Sequence, residues 1–502
     1  MPPPPTLPAY VQWAKQQTME HLRASKHGKT PNKHLLIVMG NDAGDLDSAA
    51  SAMGLSYLLA HDAKLRAKYH LGDDANVVPL LQTPRDDLED RSENVLVYDM
   101  LGISREDILC IDDLGVSIHH STYLSPEQNV SLGLVDHPLL TPAWGGAKED
   151  PHERQVDVIV DHHEEQGAHL DAKLRIIRSP SNDPVGSTAS LVSNLFHDSG
   201  NTPPHALADL LLSAIVLDTK NVVMLPKGKA SAVDLAAYKF LLPHSSFKTA
   251  TSAASFVSEA QERLSNLANA AGVVYDTSTH ATKHETTAVW SKLLRQVKAN
   301  VAHLDTHGLL ARDMKIADVH TSQGKVRFGI SSVPLSLSAW LSGAYRQHAK
   351  PHDTTDAAVE QEWRRCWVTM HAWMQERGLD IAVVLPSFKE MHNGKLKSRR
   401  DFAMLYAAPQ GGKAFADVLA ELEAWGKPGS LAPSATFLDL RPWRGQRLIR
   451  GERERVHGLG ADGQVQIPTA APIYGTVLRQ GNTNANRKVV QPALVRILKY
   501  IL

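Results

Sequence analysis

Cysteine is nearly absent from this chain: only Cys110 and Cys366 occur in 502 residues. Their wide separation argues against a disulfide framework and against a thiolate metal site, and it suits a reducing compartment. Long apolar runs are missing too, so no stretch is expected to span a bilayer. The opening Met1-Pro-Pro-Pro-Pro-Thr-Leu-Pro8 lacks the apolar core of a secretory leader and reads as a short extended tail. Net charge is also missing, at −1 overall. The whole-molecule field therefore steers no ligand strongly, and an anionic partner would need a local basic cluster. These absences predict a cytoplasmic location and no membrane partner. What is present is ordinary for a soluble globular chain, 43% apolar and 21% charged. The length exceeds what one core organises, so two domains are expected.

The stretch Val156-Asp-Val-Ile-Val-Asp161-His162-His163 organises the rest. Its β-branched apolar residues predict a buried strand that runs straight into an acid and two imidazoles. In an open α/β sheet, ligands bind outside the carboxyl ends of the strands. Alone, Asp-His-His is as consistent with a surface loop in a chain of 25 histidines. Other acids arrive in the same way. His34–Met39 is an apolar strand ending at Gly40-Asn-Asp-Ala-Gly-Asp45-Leu-Asp47-Ser48, before a helix of small residues and leucines through Ala60. Asp45 and Asp47 can both point at one cation there, whereas simple capping by Asp47 or Ser48 needs one side chain only. Val130–Val135 leads to Asp136, and the apolar helix Ala206–Leu217 leads to Asp218. Ile108–Ile111 reads as a further short strand ending in Asp112-Asp113, a competing acid pair. Several carboxylates with few imidazoles suit Mn²⁺ or Mg²⁺ better than copper or structural zinc, and they suggest two metals sharing a carboxylate. Gly186-Ser187-Thr188 opens a helix; its backbone N–H groups either hold a phosphate or are simply capped by Ser187 or Thr188.

Beyond a polar, alanine-rich helical stretch (245–271), a Thr/His-rich segment reads as a linker. The expected division is a tail and helix (1–30), a first domain (31–275), the linker (276–286) and a second domain (287–502). In the second domain Trp363, Trp367 and Trp373 recur on one helix without basic interleaving, as core residues do. Ile381–Leu385 and Phe402–Tyr406 read as strands flanking the basic Lys395–Arg400, and further basic residues fall at 441–455 and at Asn486-Arg487-Lys488.

Gly40–Ser48, Leu134-Val-Asp136, Asp161-His-His163, Gly186-Ser187 and Asp218-Thr-x-Asn221, in that order, resemble the motifs of the DHH phosphoesterase superfamily. Arg312-Asp-x-Lys315 with Gly329–Ser332, and Asn486-Arg-Lys-x-Val-x-Pro492, are similar to the opening and closing motifs of the DHH-associated second domain. That domain is carried by family-two inorganic pyrophosphatases, prune-like proteins and eukaryotic cytosolic exopolyphosphatases. The resemblance implies a two-domain α/β fold. A mainly parallel, doubly wound sheet would form the first domain and a smaller mixed sheet the second, with the active site in a cleft between. Asp45, Asp47, Asp136, His162 and Asp218 would hold two divalent ions, with Asp136 and Asp218 shared. His163 would face the phosphate as donor or general acid, and Asp161 would orient a neighbouring imidazole. Asn41, Ser187, Lys315, Arg399, Arg487 and Lys488 would bind substrate. The pyrophosphatases have histidine at the place of Asn41, whereas the exopolyphosphatases have asparagine. The closing motif has serine at the place of Asn486. The implied activity is release of orthophosphate from inorganic polyphosphate by a monomer, through water activated by two metals. A pyrophosphatase, a prune-like phosphodiesterase and a catalytically silent scaffold are the alternatives. Nucleic acid is not an expected partner, since the glycine-rich motif of the nuclease branch is not evident.

Overall fold

The computed structural model describes residues 2–115, 124–140, 144, 154–268, 275, 284–343, 355–408, 411–433, 435–443, 456–469 and 471–502. Most of the expected linker lies outside these, as do residues 145–153 and 444–455. The chain divides into two compact units, Met1–Asn300 and Val301–Leu502.

The first unit is built on a parallel sheet. Its strands are β1 (Leu35–Met39), β2 (Asn76–Leu80), β3 (Val130–Val135), β4 (Val156–Asp161) and β5 (Leu174–Ile177), in the order β2-β1-β3-β4-β5. Every residue of β1 to β4 is buried, as a parallel sheet covered on both faces requires. The helices are α1 (Leu7–Lys26), α2 (Leu46–His61), α3 (Ala63–Lys68), α4 (Ser92–Met100), α5 (Thr188–Asp198), α6 (His205–Asp218), α7 (Ala232–Leu241), α8 (Ala250–Ala268) and α9 (Glu285–Ala299). The small residues of α2 let it sit deep between its neighbours. A Cβ on Gly54 would lie 2.9 Å from a methyl of Leu211 on α6 and 3.1 Å from one of Val192 on α5. Adjacent strands also end level, with Met39 opposite Leu134 and Val135 opposite Val160. The residues that follow β1, β3 and β4 are therefore delivered to one edge of the sheet.

Two expectations change here. Ile108–Ile111 forms no strand; one bridge, Leu81 to Cys110, is all that pairs, and Ile111–Leu114 turns into a 3₁₀ helix. The helix expected to open the second domain, α9, packs in the first unit, where Trp290 stacks with Phe247 and Phe256 and donates to the Ser213 hydroxyl.

The second unit carries a mixed sheet: β6 (Met314–Thr321), β7 (Gly324–Val333), β8 (Ile381–His392), β9 (Lys395–Tyr406), β10 (Leu440–Pro442) and β11 (Tyr474–Gln480). Their order is β10-β11-β9-β8-β7-β6. Only β7 and β8 run parallel; the other pairs are antiparallel. The helices α10 (Thr306–Ala311), α11 (Leu337–Leu341) and α12 (Asp356–Glu376) join one face, with Trp363, Trp367 and Trp373 buried in its core. The other face is covered by α13 (Gly411–Ala424) and α14 (Arg487–Ile501). β8 and β9 are longer than the sequence suggests. Their apolar halves are buried in the sheet, and their polar halves continue outward as an exposed hairpin.

Candidate metal centre

Asp136 follows β3 in the left-handed region, at φ 62°, a conformation Asp tolerates better than most residues. Its backbone N–H is held by the Val160 carbonyl of β4, and its carboxylate faces both imidazoles that follow that strand. His162 Nε2 lies 3.3 Å and His163 Nδ1 3.7 Å from Asp136 Oδ1. Asp161, the last residue of β4 and fully buried, lies 2.9 Å from His163 Nδ1. That contact turns the other ring nitrogen of His163 outward. His162 Nδ1 meets the Val185 carbonyl at 2.9 Å. A carbonyl only accepts, so Nδ1 carries a proton and Nε2 is left toward Asp136.

The other candidate acids surround this group. Asp45 is the N-cap of α2 and accepts from the Ser48 amide. Asp47 is buried one residue into the helix. It is gripped by the start of α5: Ser187 Oγ and the Ala189 amide donate to Oδ1, and the Thr188 amide donates to Oδ2. Asp218 ends α6. Burial pushes the Asp47 carboxyl well above its ordinary range, and the negative charges of Asp136, Asp218 and Asp45 push the same way. Burial raises Asp218 as well, against the opposing pull of Lys298. For His162 burial alone would lower the pKa. The hydrogen bond and charge of Asp136, with Asp47 and Asp161, outweigh it and push the imidazole up to about 10.

These directions describe a pocket short of positive charge. Carboxylates are forced toward protonation, and an imidazole whose Nε2 lies 3.3 Å from a carboxylate oxygen is forced toward the cation. Oxygen donors with one or two imidazoles match a hard or borderline divalent ion. The residues present therefore fit a metal centre, with ligand atoms of Asp136, His162 and His163 within 4.8 Å of one another. The competing Asp112-Asp113 pair is otherwise employed. Asp113 is ion-paired to Arg85 and Lys15, and burial pushes the neighbouring Cys110 thiol up to about 12.

Two residues expected to touch substrate hold the site's own carboxylates instead. Asn41 donates to Asp136 Oδ2 at 2.7 Å, and its amide oxygen accepts from the Ala43 N–H. A neutral amide at this place steadies Asp136 without competing for its charge. Ser187 and the N–H groups at the α5 start, read as a phosphate cradle or a cap, are spent on Asp47. The cradle works only because α5 begins against its surroundings. A Cβ on Gly186 would stand 2.6 Å from the Thr219 methyl and 3.1 Å from the Lys229 carbonyl.

In the second unit Arg487 opens α14 and pairs with Asp313, just before β6, which carries Lys315. Lys488 follows it, its amide capped by the Asn486 side chain. The serine-to-asparagine departure thus keeps a helix cap. Arg399 lies on β9, paired to Glu390 of β8 at 3.0 Å.

Several residues near the acids carry no sequence motif. Ser48 donates to Asp136 Oδ2 at 2.6 Å, and Thr188 Oγ1 approaches Oδ1 at 3.3 Å. Buried Arg91 bonds the Ala43 carbonyl, and Asn94 bonds that of Gly44, fixing the turn before Asp45. Lys298 of α9 sits among Asp218, Asp45 and Glu93. Burial opposes its charge, but those carboxylates hold its pKa up. Ser48, inside α2, was legible from its place in the Gly40–Ser48 stretch; Lys298 gave no signal.

Residues 35–215 match the family model "DHH family, N-terminal domain", and residues 292–497 match the "DHHA2 domain". A Schizosaccharomyces pombe protein named "Putative exopolyphosphatase" is 30% identical over 214 residues, 40% of this chain and 48% of that protein. Human "Exopolyphosphatase PRUNE1" is 26% identical over 216 residues, 43% of this chain and 42% of that protein. The matches thus span less than half the length of either relative. Among solved structures, the "putative family II inorganic pyrophosphatase" of Methanococcus jannaschii aligns with a TM-score of 0.37 at 17% identity, covering 76% of this chain and 90% of that one.

Proposed function

Because this chain belongs to the DHH family and carries the DHHA2 domain as well, we propose that it is a metal-dependent exopolyphosphatase. It would hydrolyse the terminal phosphoanhydride bond of inorganic polyphosphate and release orthophosphate. The observation that carries this reading is the convergence of Asp136 with His162 and His163 at the ends of β3 and β4, within the residues that match the DHH N-terminal domain, in a chain similar to relatives named exopolyphosphatases.

Asp45, Asp47, Asp136, His162 and Asp218 would hold two divalent ions, Mn²⁺ or Mg²⁺. Ions in such a site supply an acidified water and a counter-charge for the displacement. The chain's residues do the rest. Asp161 fixes His163 through Nδ1, leaving its Nε2 to give a proton to the departing phosphate oxygen, a role suited to an oriented imidazole. The α5 start keeps Asp47 aimed through its amide donors. Asn41 and Ser48 keep Asp136 from turning away. Lys315, Arg487 and Lys488 would contribute charge to the substrate's phosphates, the guanidinium as a fork and the ammonium groups as point charges.

The deciding experiment is orthophosphate release from long-chain polyphosphate with Mn²⁺ or Mg²⁺, run beside pyrophosphate. Release from the polymer, with the remaining chains shortening from their ends, is expected. No release from any polyphosphate would overturn the reading, and cleavage of pyrophosphate alone would replace it with a pyrophosphatase.

A further inference from the structure

The outer half of the β8–β9 hairpin, Ser387–Arg400, takes no part in a core. Residues 387, 389 and 391–398 are all exposed. The strands stay in register to the turn, from Ser387 opposite Arg400 to His392 opposite Lys395. Its composition is one-sided: Lys389, Lys395, Lys397, Arg399 and Arg400 against a single acid, Glu390.

Cross-strand partners share a face, so Phe388, Glu390 and His392 lie on the same side as Arg399, Lys397 and Lys395. The one acid of that face is already committed. Arg399 reaches it at 3.0 Å and Arg479, from the next strand, at 3.4 Å. The Arg479 guanidinium also stacks over the Phe388 ring, 5.6 Å from its centre. Glu390 therefore braces two arginines and leaves the face net positive. Lys395 and Lys397, two residues apart and so about 7 Å apart along the strand, have no ion pair among the described residues. On the opposite face Arg400 bonds the Thr483 carbonyl, three residues before the Asn486 cap of α14. Like charges held together in register repel one another, and a soluble chain of net charge −1 has no need to gather them for solubility.

We propose that this hairpin is a docking strip for a linear polyanion, and that it binds phosphates of a polyphosphate chain other than the terminal one. This rests on the exopolyphosphatase reading for its choice of polyanion. Charge complementarity argues for it, because two lysines beside two braced arginines on one face of a paired ribbon match successive phosphates better than they match a compact anion. Such binding is electrostatic and weakens with salt in proportion to the charges engaged.

The test uses the full chain carrying Lys395→Gln and Lys397→Gln, two exposed positions whose side chains have no hydrogen bond or ion pair among the described residues. Binding of fluorescent long-chain polyphosphate is followed by anisotropy across a salt series, with single-stranded DNA as competitor. Hydrolysis of long chains and of tripolyphosphate is followed alongside. The variant is expected to bind the long chain about tenfold or more weakly, with a shallower salt slope. Its KM should rise for long chains and stay unchanged for tripolyphosphate. Unchanged affinity and slope would overturn the strip, and single-stranded DNA binding more tightly than polyphosphate would overturn its assignment to polyphosphate. If the wild-type protein hydrolyses no polyphosphate yet binds it through these lysines, the catalytic reading fails and the strip stands.

Discussion

Asp136 accepts from Asn41 and Ser48, approaches Thr188 and faces both imidazoles, so replacing it removes the one carboxylate common to the whole cluster. Asp136→Ala should lower orthophosphate release by about 10²–10³-fold or more, the scale on which one pre-organised polar group registers; wild-type turnover would end the metal-centre assignment. The state of His162 gives a second prediction. In the metal-free protein its imidazole is a cation up to about pH 10, so a metal arriving at about pH 7.5 must displace that proton. Calorimetry of Mn²⁺ binding in two buffers of different ionisation enthalpy should report about one proton released, and apparent affinity should strengthen as pH rises. Because the folded pKa lies above the ordinary 6.5, the metal-free fold has the full benefit of this group below 6.5 and loses it as pH rises through about 10. The acids and imidazoles of this site were legible because each follows an apolar run. Asn41 and Ser187 were legible as positions but not as roles, since only packing shows that their polar atoms are consumed by Asp136 and Asp47. Lys298 was not legible, being one lysine among many on an amphipathic helix distant in sequence from the acids it faces.

At the level of the element, the site depends on how closely α5 and the α6 end approach. Gly186→Ala would drive a methyl against the Thr219 side chain and the Lys229 backbone. The start of α5 must shift to admit it, at a cost of about 1–3 kcal/mol, and its grip on Asp47 should loosen. The expected result is a lower urea midpoint together with weaker Mn²⁺ affinity; a variant equal to wild type in both would show that the approach is not strict. The turn after α6 is built as tightly. Lys220, Asn221 and Val222 all have positive φ, unfavourable above all for β-branched Val222. Asn221 bonds the Thr287 hydroxyl and the His284 carbonyl of the α9 start. Asn221→Ala should therefore destabilise by about 1–3 kcal/mol in a denaturant titration. Strands β1, β3 and β4 of the first sheet were legible from continuous apolar runs, the signature of two-sided burial. Ile108–Ile111 carries the same signature yet pairs at a single residue, because an apolar run reports burial and not hydrogen bonding. The outer half of the hairpin was illegible for the opposite reason: without a buried face its strands show no alternation.

For the whole molecule, the two units are separate cores, and α9 decides where one ends. Its apolar stripe, Trp290, Leu293, Leu294 and Val297, is buried in the core of the first unit, and Lys298 at its far end faces the acids of the metal centre. An amphipathic helix shows in sequence that it has a core to join, but not which one. The expected boundary at 276–286 precedes α9 and the match to the DHHA2 domain begins within that helix at residue 292, while by packing the first unit runs to Asn300. A fragment ending at 300 keeps both the stripe and the lysine; one ending at 284 loses them and exposes the surface that Trp290 covered against Phe247, Phe256 and Ser213. Losing that one indole from a core costs about 3–5 kcal/mol, a large share of the roughly 5–15 kcal/mol that a domain has in total. The 1–300 fragment should thus melt cooperatively by calorimetry and gain stability on adding Mn²⁺, while 1–284 should show no cooperative transition. Trp290→Ala in the full chain gives the intermediate case. The transition that matches the 1–300 fragment should shift downward with the other unmoved if the helix belongs to the first core, and a shift of the second unit's transition instead would return α9 to the second domain.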